Sequence, residues 1–163
     1  MERIEDKLDR VIDFLERNAG ARDLVAKSHD KFWALEGLRD RLEDGAGTVM
    51  IVGAVSLPTG EAYDWQQAEP VSTTLQVEWS DSADALSALG HPIRLVILQR
   101  IANGVSTTAE LAGIPELGTT GQLHHHLRLL VAAGWLTHSG RGRYAIPAPR
   151  VVPLLAILVA AGR

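Results

Sequence analysis

The sequence predicts a mainly helical α+β protein with a small β component. Three observations carry that expectation. Apolar residues recur at helical spacing along most of the chain. Thr107-x-x-Glu110 and Thr119-x-x-Gln122 are capping boxes, each opening a helix. Two short stretches instead read as strand, turn, strand: TVMIVGAVSL (48–57) with EAYDWQQ (61–67), and WLTHS (135–139) with YAIP (144–147).

In residues 1–18, Ile4, Leu8, Val11 and Leu15 step by 4, 3 and 4 and make an a/d seam. Asn18-Ala19-Gly20 stops that helix. Residues 22–44 continue at helical spacing through Leu24, Phe32, Leu35, Leu38 and Leu42, with Trp33 off the stripe. A helical hairpin is therefore expected, ended by Gly45-Ala46-Gly47. TVMIVGAVSL is β-branched, and Pro58-Thr59-Gly60 supplies turn chemistry. The return strand puts Ala62, Asp64 and Gln66 on one face and Tyr63 and Trp65 on the other. A lone hairpin is marginal in water, so it must pack on a helix layer or a partner. Pro70 and Ser72-Thr73-Thr74 read as a connection, with helical pattern resuming near Asp81.

From there the elements are short. SADALSAL (82–89) is one helix. Pro92 opens IRLVILQRI (93–101), standing where its missing N–H costs nothing. AELA forms a short helix, Gly113 to Gly118 a turn, and the second capping box starts a helix running to Ala133-Gly134. A strand, the tip Gly140-Arg141-Gly142-Arg143, a second strand and the apolar helix PRVVPLLAILVAAG (149–162) follow. This is the order of a winged helix-turn-helix. The expected division is residues 1–80, a helical and β-hairpin region for dimerisation or sensing, and residues 81–163, a winged helix-turn-helix with a final dimerisation helix.

The segments ALGHPIRLVILQRI, TTAELAG and TTGQLHHHLRLLVAAGWLTHSGRGRYAIP sharpen this. Gly90-His91-Pro92-Ile93-Arg94-Leu95, Glu110-Leu111-Ala112 and His126-Leu127-Arg128 through Ala133-Gly134-Trp135 resemble the motifs of winged-helix repressors of the ArsR type. The resemblance covers about residues 82–147, with 149–162 in the place of that family's dimerisation helix. It implies a homodimeric transcription regulator that binds double-stranded DNA. Metal sensors of that family bind through cysteines after the positioning helix, or through Asp and His on the last helix. Here those places read AGIPEL and RVVPLLAILVAAGR, so metal sensing does not carry over.

Composition agrees with a globular chain: 46% hydrophobic and 22% charged residues support a core. The charge is unevenly spread. Residues 1–81 hold 9 Lys/Arg against 17 Asp/Glu, net −8, whereas residues 82–163 hold 7 Arg, no Lys and 3 acidic residues, net +4. A basic module facing an anion, preceded by an acidic one, is the simplest reading. Cysteine is absent, which removes disulfides, thiolate metal sites and Cys nucleophiles together. The beginning MERIEDKLDR lacks the apolar core of a signal peptide. The longest apolar stretch, 151–162, has 12 residues, against about 20 for a membrane span. A cytoplasmic protein with no membrane partner and no cofactor is expected. With no phosphate-cradling Gly loop, nucleophile–base pattern or metal box, an enzyme is not expected.

TTGQLHHHLRLL (119–130) carries three adjacent histidines. An α-helix turns about 100° per residue, so adjacent residues cannot chelate one ion from one face. Zinc pairs on helices use i, i+4 spacing, and no metal site is expected. Leu123, Leu127 and Leu130 mark the core side. His125 points away from it, with His124 and His126 on opposite flanks. His124 is expected to pack. The outward arc holds Gly121, Gln122, His125, Arg128 and Leu129, preceded by Thr119 and Thr120, and suits a major-groove face. Gln122 has two readings, adenine contact or capping box alone. His126 is split between a phosphate contact and a buried hydrogen bond. Arg141 and Arg143 at the glycine-flanked tip are expected on a minor groove or phosphates. Arg94 reads better as a structural ion pair than as a contact.

The predicted DNA-binding set is therefore Thr119, Thr120, Gly121, Gln122, His125, His126, Arg128, Arg141 and Arg143. The predicted dimer surfaces are Ile4, Leu8, Val11 and Leu15, and Leu154, Leu155, Leu158 and Val159. The acidic half has three readings: a dimerisation layer, a small-molecule sensing pocket near Trp33, Tyr63, Trp65 or Trp79, or a docking surface for another protein. The rival to the whole reading is a protein-interaction module whose winged helix does not bind DNA.

Overall fold

A computed structural model describes residues 32–42 and 47–162. The chain divides into two compact units, Met1–Gly47 and Thr48–Arg163. In the first, residues 32–39 are helical and Phe32, Trp33 and Leu35 are exposed. The predicted seam of Ile4, Leu8, Val11 and Leu15 lies outside the described residues, as does the start of the helical hairpin.

The second unit is mixed α/β, with two small antiparallel sheets. Strands β1 (Thr48–Ser56) and β2 (Ala62–Pro70) form the first, in a register running from Thr48↔Pro70 to Ser56↔Ala62. Next come the helices α1 (Val71–Gln76), α2 (Ala83–Leu89), α3 (Pro92–Ala102), α4 (Thr108–Ala112) and α5 (Thr120–Ala132). Strands β3 (Thr137–Gly140) and β4 (Arg143–Ala145) make the second sheet, and α6 (Ala148–Ala161) follows.

Helix boundaries follow local chemistry. In both capping boxes the Thr side chain accepts from the N3 backbone N–H while the N3 side chain accepts from the cap N–H. Helix α5 ends in a Schellman motif: Gly134 takes φ 72°, its N–H donates to Val131 O, and the Trp135 N–H donates to Leu130 O. The helix α1 and the 3-10 turn Trp79–Ser82 occupy what the sequence reads as a connection. Helix α1 buries no residue, so no apolar periodicity announces it. Local bonds hold it instead: Thr74 Oγ1 donates to Pro70 O at 3.1 Å and Trp79 Nε1 to Thr74 O at 2.8 Å.

The core collects the apolar faces of α3, α4 and α5, and Ile97, Leu111, Leu117, Leu123, Leu127 and Leu130 are each at most 1% exposed. Six such side chains fully buried represent roughly 1.5–3 kcal/mol of transfer free energy each. The three leucines read from sequence as the core side of α5 are thus buried, and α3 contributes Ile97, Leu98 and Ile101.

Of the two supports expected for the first hairpin, a helix layer or a partner, it takes a helix of its own chain: it packs on α6, in the same compact unit, which also spans the expected 80/81 boundary. Alternate residues explain the contact. Val55, Tyr63 and Trp65 are half-buried, whereas Ala54, Asp64 and Gln66 are exposed. On α6, Val151 and Leu154 join the main core and Val152 meets the hairpin at Gly53. The final helix is therefore covered by its own chain along much of its length. Leu154, predicted at a dimer surface, is a core residue at 4% exposure; Leu155 is half-buried. Only Leu158 and Val159 of that set are exposed.

Gly53 makes the close approach possible. A Cβ there would stand 2.5 Å from Val152 Cγ1, and Val152 is only 4% exposed, leaving it little room to turn. Gly53→Ala is expected to destabilise the protein by about 1–3 kcal/mol in urea unfolding. Adding Val152→Ala should recover part of that loss relative to the sum of the single changes. An unchanged unfolding midpoint in Gly53→Ala would show that the hairpin is not seated on α6.

Candidate nucleic-acid interface

Helix α5 presents two sides. Leu123, Leu127 and Leu130 face the core, while Thr119, Thr120, Gly121, Gln122, His125 and Arg128 are all exposed. The exposed set occupies the first two and a half turns, at the N-terminal end, where backbone N–H groups and the helix dipole favour an anion. A Cβ at Gly121 would meet nothing within 4 Å, so the backbone there is open to a large partner. Gly118, with φ 77°, brings the preceding loop close against Gln122; a Cβ would lie 2.5 Å from Gln122 Oε1.

The Gln122 carbonyl oxygen is already engaged. It accepts from Thr119 N at 2.9 Å and from Thr119 Oγ1 at 3.1 Å. The capping reading is thus the observed one, and only the amide nitrogen of Gln122 is left for another partner.

The three histidines separate as helical geometry requires, with one exception. His125 is exposed. His126 is half-buried, its ring 4.7 Å from that of His91 and tilted by 44°. Its Nδ1 is enclosed without a hydrogen-bond partner, so the buried hydrogen bond expected of it is not made at that atom. His124, expected to pack, is exposed. The start of α3 covers the His126 flank of α5 and leaves the opposite flank open. His91 also caps α3: its Nδ1 accepts from Ile93 N at 3.2 Å. Arg94 completes this junction without an ion pair. Its guanidinium donates to the carbonyls of Ala88 and Ser87, closing the end of α2.

Burial pushes the His126 imidazolium down from its ordinary range, and the nearby His91, His125 and Arg94 push the same way. The unfolded chain then binds the proton more readily than the folded one. Stability should be fullest above about pH 6.5, the ordinary His value, and fall as pH drops toward the lower folded value. Urea unfolding between pH 8 and pH 5 measures this. His126→Gln should flatten the curve across that window, and a variant as acid-sensitive as the parent would exclude His126 as the cause.

The second hairpin divides its two arginines. Arg141 lies in the turn between β3 and β4, exposed, and among the described residues it has no hydrogen-bond or ionic partner. Arg128 is likewise exposed and unpartnered. Arg143 is not free: its guanidinium donates to Ser106 Oγ at 3.1 Å and lies close enough to Glu110 to lower that carboxyl's pKa. The larger causes of the Glu110 shift are the side-chain and backbone bonds from Thr107. The turn is also tied to α4. Gly142 O accepts from Thr108 N at 2.9 Å and from Thr108 Oγ1 at 3.2 Å. Of the two tip arginines, Arg143 is thus the one already tied to its own chain. No sequence pattern marks Ser106, its anchor, because the pairing spans 37 residues.

Among the described residues, no group of three or more His, Asp or Glu side chains is arranged to hold a metal ion, and no helix is long and apolar enough to cross a membrane. No family model, curated protein or solved structure matches the chain.

Proposed function

We propose that the chain is a winged helix-turn-helix regulator of the ArsR type that binds duplex DNA as a homodimer, with α5 as the recognition helix and the β3–β4 turn as the wing. It performs no chemistry and acts in the cytoplasm. The observation that carries this reading is the outer side of α5. Thr119, Thr120, Gly121, Gln122, His125 and Arg128 are exposed there, with Leu129 the apolar residue beside them. Exposed Arg141 adds a second cation on the turn anchored to α4. Helix N-terminus and free guanidinium groups together suit a phosphate backbone flanking a major groove. Two copies joined through the exposed end of α6, at Leu158 and Val159, would present two such helices to a roughly palindromic site.

Fluorescence anisotropy against genomic DNA fragments tests the reading. Saturable binding to particular fragments, weakening as salt rises, is the expected result. Gly121→Ala sharpens it. The open space at Gly121 admits a methyl group, and a helix favours Ala over Gly by roughly 0.5–1 kcal/mol, so the variant should be at least as stable as the parent. It should nevertheless bind DNA more weakly, because backbone approach is blocked. Gly121→Ala with undiminished DNA affinity would remove α5 from the interface.

A protein-interaction module is the second reading. Leu75, Val77, Trp79 and Leu86 favour it, each more than half exposed. A folded protein that binds no fragment at any salt concentration would decide for this alternative.

A further inference from the structure

A cavity of about 340 Å³ opens between the turn of the first hairpin, the end of α3 and the β3–β4 sheet. Its size falls in the range of small-molecule sites. Polar groups converge on it from three separate elements. Thr59, Glu61 and Tyr63 come from the first hairpin, Ser106 from the segment before α4, and Ser139 and Tyr144 from the second sheet. Ile101 and Val151, both buried, give it an apolar wall.

The charge of the lining is one-sided. Glu61 is the sole carboxylate among the lining residues, and no Lys, Arg or His lines the cavity. Glu61 has no cationic partner among the described residues. Thr59 Oγ1 donates to Glu61 Oε2 at 3.0 Å. Burial and the neighbouring Glu61 charge raise the Tyr63 pKa, so its hydroxyl stays neutral beside that carboxylate. A carboxylate offers about four acceptor positions, so the Thr59 donor leaves it able to take an ammonium. Tyr63 and Tyr144 both line the cavity, the second with its ring also against His138, and a cation over an aromatic face is attracted by its quadrupole.

We propose that this cavity binds a small organic amine with an apolar or aromatic body, its ammonium on Glu61 and its body between Tyr63, Tyr144 and the apolar wall. Occupancy reaches the wing through Ser106. That residue lines the cavity, its Oγ accepts from the Arg143 guanidinium, and its carbonyl accepts from Tyr144 N at 2.9 Å. A ligand against Ser106 therefore changes the order of β4 and of the turn that carries Arg141. The regulatory consequence rests on the DNA-binding reading above; the site itself does not.

Calorimetric titration of the full chain with 2-phenylethylamine, 2-phenylethanol and phenylacetate tests the site. One amine is expected to bind per chain, the alcohol about tenfold more weakly or worse, and phenylacetate not at all. Glu61→Gln, an exposed position, should leave thermal stability unchanged and weaken the amine about tenfold. Amide resonances of Ser106, Arg143 and Tyr144 should shift on titration. No amine binding, equal binding of phenylacetate, or indifference to Glu61→Gln would each overturn the site. Amine binding with unmoved wing amides would overturn the coupling. DNA anisotropy with and without saturating amine separates the two levels. A chain that takes the amine at Glu61 but binds no DNA keeps the site and discards the DNA reading. A chain that binds DNA equally with and without amine discards the regulation alone.

Discussion

Trp135→Ala is expected to lower the unfolding free energy by about 3–5 kcal/mol, the range for emptying a buried aromatic site. The reason is the number of functions that meet in one side chain. Trp135 is 2% exposed, and its indole N–H donates to Ala85 O at 2.8 Å, joining α2 to the start of the second hairpin. Its backbone N–H completes the Schellman motif that ends α5. Arg150 of α6 lies over the ring, 5.0 Å from its centroid. Removing the ring leaves a cavity, takes the indole donor from the Ala85 carbonyl and leaves a guanidinium without its aromatic face. Trp135→Phe isolates part of this. It keeps most of the packing and deletes the indole donor, and should cost about 1–3 kcal/mol. Urea unfolding at pH 7.5 measures both, clear of the His126 window. A loss below about 1 kcal/mol for Trp135→Ala would mean that α2 and the second hairpin are not held together through this residue.

Arg128→Ala combined with Arg141→Ala should lower DNA affinity by about a hundredfold near 0.1 M salt. Each deletion removes a charge-assisted contact of about 1.5–3 kcal/mol, or tenfold and more. Both side chains are exposed and unpartnered, so stability should stay within about 0.5 kcal/mol of the parent. The dependence of log affinity on log salt should become shallower by about 1.8 for two lost phosphate contacts. Arg143→Ala is the informative contrast. Its guanidinium already serves Ser106 and Glu110, so its loss should loosen the wing and reduce stability with a smaller change in salt slope. Parent-like affinity and slope in the double variant would place the interface elsewhere, whatever the behaviour of α5.

Elements with strong local signals were legible from sequence. Both capping boxes, the extents of α3 and α5 within a residue or two, and the leucines on the buried side of α5 all follow from spacing and cap chemistry. These depend on interactions three or four residues apart, which a sequence displays directly. Helix α1 escaped because it buries nothing and so carries no periodic face. The candidate site was half legible. Exposure of Thr119, Thr120, Gly121, His125 and Arg128 follows from the helical wheel. The engagement of Arg143 by Ser106 does not, nor does the stacking of His126 on His91, since both join residues more than 30 positions apart.

The same division holds for the molecule at large. Local spacing alone determined that α5 is a capped helix with a leucine side and a polar side, and that β1 and β2 form a hairpin. Only tertiary packing decided what covers each surface. Val152 and Leu154 look alike in the run VVPLLAILV, yet one seats the hairpin at Gly53 and the other enters the main core. Apolar periodicity says that a face must be buried, because water penalises it whatever lies opposite. It cannot say against what, because the hydrophobic effect has no direction. The identity of the covering surface comes from shape: a missing Cβ at Gly53, a tilted pair of imidazoles, and a serine within reach of an arginine.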